Sequence, residues 1–176
     1  GGTGAVVEAD ETFVGGKEKN KHASKRKGGT QGGAGKSIVF GVIERGGELR
    51  TTIIPDRTRA TMMDAVSAHV APGATVVTDE HGGYGPLRTR FTHKTVTHAR
   101  GEYAREGAHT NTVEGAWSLL KRQIVGIHHF VSAKHLGRYV AEATWRYNRR
   151  AVTEEGRVDA LIAGAAGRLT YKALIA

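Results

Sequence analysis

The amino-acid sequence predicts a mixed α/β domain with a five-stranded sheet, and three observations lead to that prediction. The chain has 176 residues, the length of one ordinary domain, so we take residues 1–176 as a single unit. Short segments rich in Val, Ile and Thr are separated by Gly-rich turns, as strands are. Segments with apolar residues three or four positions apart follow them, as helices do.

The first part of the chain is predicted to consist mostly of strands. Residues 6–14 are rich in Val, Thr and Phe, and a Gly-Gly pair ends them. Residues 37–44 and 49–54 lie on either side of a second Gly-Gly turn, so we expect a hairpin. Residues 17–36 contain seven Lys or Arg, one Glu and five Gly with no apolar period, which predicts a basic flexible loop.

The second part alternates between helices and strands and ends in helices. Its apolar residues recur at helical spacing in the longest segments. The predicted elements are a helix over residues 61–70, a strand over 74–78, a Gly-rich turn over 82–87, a fifth strand over 92–97, a polar loop over 100–109, long helices over 110–125 and 132–148 with Ser132 as the N-cap of the latter, and short closing helices over 159–163 and 170–175.

This order of elements is that of a ribonuclease-H-like sheet flanked by helices. Such a sheet has an antiparallel meander of three strands, a crossover helix, and further strands parallel to the first. Other α+β folds fit the same order almost as well, so the pattern alone leaves the topology open.

Composition narrows the classes of function. The chain has 26 Lys plus Arg against 17 Asp plus Glu, a net charge of +9, which favours binding to a polyanion such as nucleic acid. It has no Cys, which excludes disulfides, thiolate zinc sites and cysteine nucleophiles. Its apolar runs are too short for a transmembrane helix, and its first residues do not form a secretory signal. We therefore expect a soluble cytoplasmic protein without a membrane partner.

Three carboxylates stand at positions that neighbouring elements could bring together. Asp10 lies within the first strand, Asp79 follows the fourth strand, and Glu114 lies early in a long helix. Grouped carboxylates repel one another unless cations are present, and Mg²⁺ prefers such oxygen ligands. Each residue also has an ordinary interpretation, because Glu114 could face solvent and Asp79 could cap its loop. Asp10 is the least ordinary, since Asp is disfavoured in strands.

Polar neighbours extend this group along the same helix. Asn111 lies one turn before Glu114, and Lys121 lies two turns after it, so the three share one face. An ammonium near a metal-binding carboxylate suits a site that holds phosphate and metal together. The alternative is a solvated stripe on a surface helix.

Three blocks of the sequence stand out: VEADETFVGG at residues 7–16, VTDE at 77–80 with Tyr84, and HTNTVEGAWSLLKR at 109–122. Together they resemble the catalytic domain of insertion-sequence transposases of the DDE superfamily, in particular the ISXO-type group. A fourth block, residues 142–150, resembles the closing helix of that family, and the resemblance runs from about residue 6 to residue 150.

The resemblance implies a ribonuclease-H-like fold and metal-dependent cleavage and joining of DNA at transposon ends. It makes Asp10 and Asp79 metal ligands, with two Mg²⁺ or Mn²⁺ ions as cofactors. The family's third residue is Glu or Asn, and we prefer Glu114 to Asn111 because a carboxylate binds Mg²⁺ better than an amide. The residues expected to contact DNA are Lys121, Arg122, Arg146, Arg149, Lys25, Arg26 and Lys27. For Arg146 and Arg149 the alternative is pairing with carboxylates such as Glu142, and for the three residues of the 17–36 loop it is a solvated flexible insertion.

The resemblance also implies partners. Transposases act on transposon ends and target DNA, usually as homo-oligomers, and we expect a bacterial, nucleoid-associated protein. Family members usually carry a DNA-binding region before the catalytic domain, and its apparent absence together with the missing initiator Met predicts a truncated chain. Two rival functions remain: a ribonuclease-H-fold nuclease or resolvase that cuts without joining, and an inactive DNA-binding remnant of a transposase.

Overall fold

A mixed five-stranded sheet forms the centre of the molecule. The computed structural model describes residues 2, 4–16, 20, 22–25, 33, 35–96, 109–165 and 170. The strands are β1 (Val6–Val14), β2 (Ser37–Glu44), β3 (Leu49–Ile54), β4 (Thr75–Thr78) and β5 (Thr92–Thr95), and the helices are α1 (Arg59–Ser67), α2 (Asn111–Gln123), α3 (Leu136–Asn148) and α4 (Glu154–Gly164).

The strand order is β3-β2-β1-β4-β5. β1, β2 and β3 form an antiparallel meander, whereas β4 and β5 run parallel to β1. α1 makes the crossover from β3 to β4. This arrangement is the ribonuclease-H-like sheet predicted from the sequence, and the prediction is confirmed.

Each face of the sheet carries its own apolar core. Val7, Ala9 and Phe40 pack towards α1 and the 3-10 helix Gly82–Thr89. Val14 and Val39 pack towards α2 and α3. Because side chains alternate along a strand, Glu8 and Asp10 point to the second face, towards α2.

α3 begins four residues later than predicted, at Leu136, and His135 is its N-cap instead of Ser132. The carbonyl of Ser132 accepts from the backbone N–H of His135 at 3.1 Å, so these residues form a turn before the helix. Val131 is buried in the core beside α2 and α3. Packing of Val131 therefore decides where this helix starts.

Two other helices, in contrast, begin earlier than predicted. α1 begins at Arg59 because Thr58 caps it, with its side chain accepting from the N–H of Thr61. α4 is longer than residues 159–163 because Thr153 caps it in the same way, accepting from Gly156. In both helices a Thr side chain caps the N-terminus several residues before the first apolar residue of the helical pattern.

The remaining boundaries differ by a few residues. α2 ends at Gln123 and continues as a π-helical turn, Ile124–His128, instead of running to residue 125. β4 begins at Thr75, and the turn at residues 82–87 is a 3-10 helix that extends to Thr89.

Several predictions concern residues outside the described ranges. These are most of the 17–36 loop, residue 97 at the end of the fifth strand, residues 100–108, and nearly all of the helix over 170–175. Within the 17–36 loop, Ala23–Lys25 forms a short 3-10 helix. None of the helices in the described part of the chain has the length and apolarity needed to cross a membrane.

Candidate active site

Asp10 and Asp79 come from neighbouring parallel strands. Glu8 of β1 pairs with Val77 of β4, and the same register carried on by two residues puts Asp79 beside Asp10. Asp79 also shapes the chain that follows it, because its Oδ1 accepts from the backbone N–H of His81 at 3.0 Å. The capping role and the approach to Asp10, considered as alternatives from the sequence, therefore occur together.

Glu114 reaches the same place from α2. The hydroxyl of Thr110, the N-cap residue, donates to Oε1 of Glu114 at 2.6 Å. Together with Asp10 and Asp79, these two residues line a cavity of about 260 Å³. The structure thus brings the three predicted carboxylates around one cavity, and it adds Thr110, which the sequence analysis did not single out.

The pKa of Asp10 is raised from 3.8 to about 7. Burial is the largest cause, and the negative charges of Glu11 and Asp79 add to it. Hydrogen bonds from the backbone of Glu11 and from Trp117 act in the opposite direction. A carboxyl group held this way is readily protonated near neutral pH, and a bound cation would favour its charged form.

The donor chemistry of this cavity suits a hard divalent cation. Carboxylate oxygens are the ligands that Mg²⁺ prefers, and the repulsion between Asp10 and Asp79 is the kind that a cation relieves. Within the described part of the chain, no three His, Asp or Glu side chains already form a group that could hold a metal ion. Glu114, bonded to Thr110, would have to reorient to complete such a group.

Asp10 is oriented by Trp117, and a glycine in the neighbouring strand leaves room for the Trp117 ring. The indole N–H of Trp117 donates to Oδ2 of Asp10 at 3.0 Å. Gly41 of β2 is the residue paired with Asp10, and the ring of Trp117 lies directly over it. A Cβ at position 41 would stand 2.5 Å from Cη2 of Trp117, so only Gly leaves room for this contact.

The segment after Asp79 is tied to β1 on the opposite face. The hydroxyl of Tyr84 donates to Glu11 at 2.7 Å, and Arg57 pairs with the same carboxylate at 3.0 Å. Burial and the charge of Glu11 raise the pKa of Tyr84 well above its usual value, so this phenol keeps its proton as a donor. Glu11 thereby holds the helix that follows Asp79.

The other predicted site residues on α2 are exposed. Asn111 is the first residue of the helix and lies in solvent, one turn before Glu114. Lys121 and Arg122 are exposed near the other end of the helix. Arg122 also lines a groove of about 720 Å³ between α2 and α3, whose surface is mostly apolar.

The predicted DNA contacts on α3 have partners within the chain. Arg146 pairs with Glu142 one turn earlier at 2.9 Å, and both remain largely exposed. Arg149, just past the helix end, lies 4.5 Å from the centre of the Trp145 ring. Lys25 ends a 3-10 helix, and Arg26 and Lys27 lie outside the described residues.

Sequence reasoning missed three residues that hold this site: Glu8, Thr110 and Trp117. A signal existed for Glu8, because a Glu two positions before Asp10 in a strand must share its face. The bond from Trp117 to Asp10 and the bond from Thr110 to Glu114 depend on how α2 lies on the sheet, which no local pattern specifies.

The solved structures that resemble this chain at low sequence identity include two integrase-related proteins. The catalytic core domain of BIV integrase is 13% identical with a TM-score of 0.49, covering 81% of this chain and 82% of that one. A chain of the simian T-cell lymphotropic virus intasome in complex with PP2A regulatory subunit B56 gamma is 14% identical with a TM-score of 0.49, covering 97% of this chain and 51% of that one. No curated protein matches the chain.

A family model described as an ISXO2-like transposase domain matches residues 2–148. The match includes β1, the end of β4 and α2, the elements that carry Asp10, Asp79 and Glu114. Since it spans most of the 176 residues, the chain belongs to the family of ISXO2-like transposase domains.

Proposed function

We propose that this domain cleaves DNA at the ends of an insertion sequence and joins the freed strands to target DNA, with Asp10, Asp79 and Glu114 holding a pair of Mg²⁺ or Mn²⁺ ions. The observation that carries the proposal is that three carboxylates from β1, the end of β4 and α2 line one cavity. The raised pKa of Asp10 supports it, because repulsion with Asp79 makes the empty site unfavourable.

Each residue has a defined task in this proposal. Bound divalent ions would activate the attacking oxygen and stabilise the leaving oxygen of a phosphodiester. Asp10 and Asp79 hold the ions from adjacent strands, and Trp117 keeps Asp10 turned towards the cavity. Thr110 holds Glu114 at the cavity wall. Asn111, one turn away and exposed, is proposed to support the geometry of the site.

DNA is proposed to contact basic residues of α2, of α3 and of the 17–36 loop. Lys121 and Arg122 are exposed on the helix that carries Glu114, so they suit contacts with phosphates next to the cleaved bond. Arg146, Arg149, Lys25, Arg26 and Lys27 are proposed as further backbone contacts. The active form is proposed to be a homo-oligomer assembled on DNA, in association with the nucleoid.

The test is nicking of supercoiled plasmid DNA in Mn²⁺ or Mg²⁺. Asp10→Asn and Asp79→Asn should each lower the rate about 100-fold or more, because a lost ligand removes several kcal/mol of charge stabilisation. Asp159→Asn, an exposed carboxylate on α4, is the matched control and should nick at the wild-type rate. Full activity of either site variant would overturn the assignment.

The third ligand and the joining step need separate measurements. Glu114→Gln should abolish nicking whereas Asn111→Ala should only reduce it, and the reverse result would assign the role to Asn111. Incubation of a labelled oligonucleotide bearing a free 3′-hydroxyl with plasmid should yield joined strands. Cutting without joined products would instead assign a nuclease or resolvase.

A further inference from the structure

Glu8 is a fully buried carboxylate in the centre of the sheet. Its Oε2 accepts from the backbone N–H groups of Thr112 at 2.9 Å and Val113 at 3.1 Å. Its Oε1 accepts from Arg45 Nε at 2.9 Å and from the Thr112 hydroxyl at 2.8 Å. A buried charge is tolerated only when it is paired and hydrogen-bonded, and Glu8 meets both conditions.

These contacts are made at the start of the helix that carries Glu114. The first N–H groups of a helix have no partner within it, and an N-cap side chain commonly accepts from them. In α2 the N-cap residue, Thr110, makes no such bond, and its hydroxyl donates to Glu114. Glu8 supplies the cap from the neighbouring strand, which leaves Thr110 to orient Glu114.

Arg45 and His109 complete the connection. Arg45, just past the end of β2, donates from Nε to Glu8 and from Nη2 to the carbonyl of His109 at 3.1 Å. His109 Nδ1 lies 3.1 Å from Oε1 of Glu8, close enough for an ion pair when the ring is protonated. The chain entering α2 is thus fastened to β1 and to the end of β2 through one carboxylate.

We propose that Glu8 is a positioning residue for the metal site: it fixes the first turn of α2 on β1 so that Glu114 faces Asp10 and Asp79. Glu8 and Asp10 project from the same face of one strand two residues apart, so the strand that supplies one ligand also sets the distance to another. The inference rests on the proposed function, since it gives Glu8 a role in that same site. Glu8 itself touches neither metal nor DNA in this proposal.

The variant Glu8→Gln tests the carboxylate without changing its size. Oε2 faces two N–H groups, and Oε1 faces a guanidinium that can only donate. In either orientation the amide NH₂ of Gln would point at donors, so one set of contacts is lost. In both orientations the N–H groups of Thr112 and Val113 also lose their charged acceptor, which weakens their hydrogen bonds. Amide hydrogen exchange should speed up at Thr112 and Val113 and stay unchanged in α3.

Calorimetric titration with Mn²⁺ alone measures the consequence at the site. Glu8→Gln should weaken Mn²⁺ binding about tenfold, the size of effect seen when a residue that orients a ligand is replaced. Combined with Glu114→Gln, the two losses should not add, because both act through the same ligand. Glu154→Gln removes an exposed first-turn carboxylate of another helix, with the same change of charge, and should leave Mn²⁺ affinity unchanged.

Thr112→Val provides a milder variant should Glu8→Gln fail to fold. It removes one hydroxyl donor to Glu8, keeps the backbone N–H, and should weaken Mn²⁺ binding about threefold. Faster amide exchange with unchanged Mn²⁺ affinity would make Glu8 merely structural and overturn the proposal. Unchanged exchange at Thr112 and Val113 would overturn it as well.

Failure of the proposed function would look different. If the wild-type protein bound no Mn²⁺, or if Asp79→Asn bound it equally well, the metal site itself would be wrong and the positioning role would fall with it. The exchange experiment would still establish whether Glu8 anchors α2. The two failures are therefore separable within one set of variants.

Discussion

Glu8 and Asp10 are two carboxylates on one face of one strand, and their surroundings are opposite. Glu8 is completely buried, and its carboxylate accepts hydrogen bonds from an arginine, two backbone N–H groups and a hydroxyl. Asp10 is less buried, receives the indole N–H of Trp117 and a backbone hydrogen bond at Glu11, and lies near two other negative charges. The pKa of Asp10 is raised to about 7.

The difference shows how one sheet can use the same chemical group for structure and for chemistry. A buried carboxylate whose charge is matched by donors holds elements together, whereas one whose charge is only partly matched is left to bind a proton or a cation. Raised pKa values gather at functional sites for this reason. The comparison therefore predicts that removing the charge of Glu8 lowers the free energy of unfolding, whereas removing the charge of Asp10 raises it.

The largest effect is expected for Glu8→Ala. It removes the carboxylate that Arg45 and two N–H groups of α2 contact, so the free energy of unfolding should fall by about 3–5 kcal/mol. Urea unfolding at pH 7 measures it. Glu142→Gln, which breaks an exposed pair on α3, is the control and should change stability by about 0.5 kcal/mol or less. Equal effects of the two variants would contradict the role given to Glu8.

The second effect has the opposite sign. Asp10→Asn should stabilise the protein by about 2–4 kcal/mol at pH 8 in EDTA, because a pKa raised by about three units makes the charged form costly in the folded state. The folded state holds this proton more tightly than the unfolded state. Wild-type stability is therefore lost as pH rises from about 4 to about 7 and levels off above, while the variant lacks that loss.

Unfolding curves of both proteins across this pH range check the prediction. The gap between them should open from pH 4 to pH 7 and close again when Mn²⁺ is added, since only the wild type gains from the cation. A gap that does not depend on pH, or an Asn variant less stable at pH 8, would mean that the charge of Asp10 is already balanced.

The smallest effect is expected for Gly41→Ala. Its Cβ would stand 2.5 Å from the Trp117 ring, so the ring must shift away from Asp10, at about 1–3 kcal/mol of stability. Losing the indole hydrogen bond should raise the pKa of Asp10 further, because the charged carboxylate then has one donor fewer. Unfolding and a shift in tryptophan fluorescence measure it. If the variant had wild-type stability and fluorescence, the position of Trp117 would not depend on the missing side chain at Gly41.

The strands could be predicted from the sequence more closely than the helix ends. β1, β2 and β3 begin and end at the predicted residues, because segments rich in Val, Ile and Thr and the Gly-Gly pairs beside them are local signals. The start of α3 could not be predicted, since burial of Val131 turns the chain before Leu136. The site divides in the same way: Asp10, Asp79 and Glu114 were predicted, and the contacts that hold them were not.

The sequence by itself determined the order of the elements, the basic net charge and the three carboxylates, because each is written in residue types and short spacings. Only the tertiary structure decided which of two neighbouring carboxylates is matched by donors. The partners of Glu8 are Arg45, which is 37 positions away in the sequence, and the start of α2, which is up to 105 positions away. Asp10 instead lies near Asp79, whose negative charge helps to raise the pKa of Asp10. Such pairings arise from strand register and helix placement, so they exist only once the sheet and α2 have packed together.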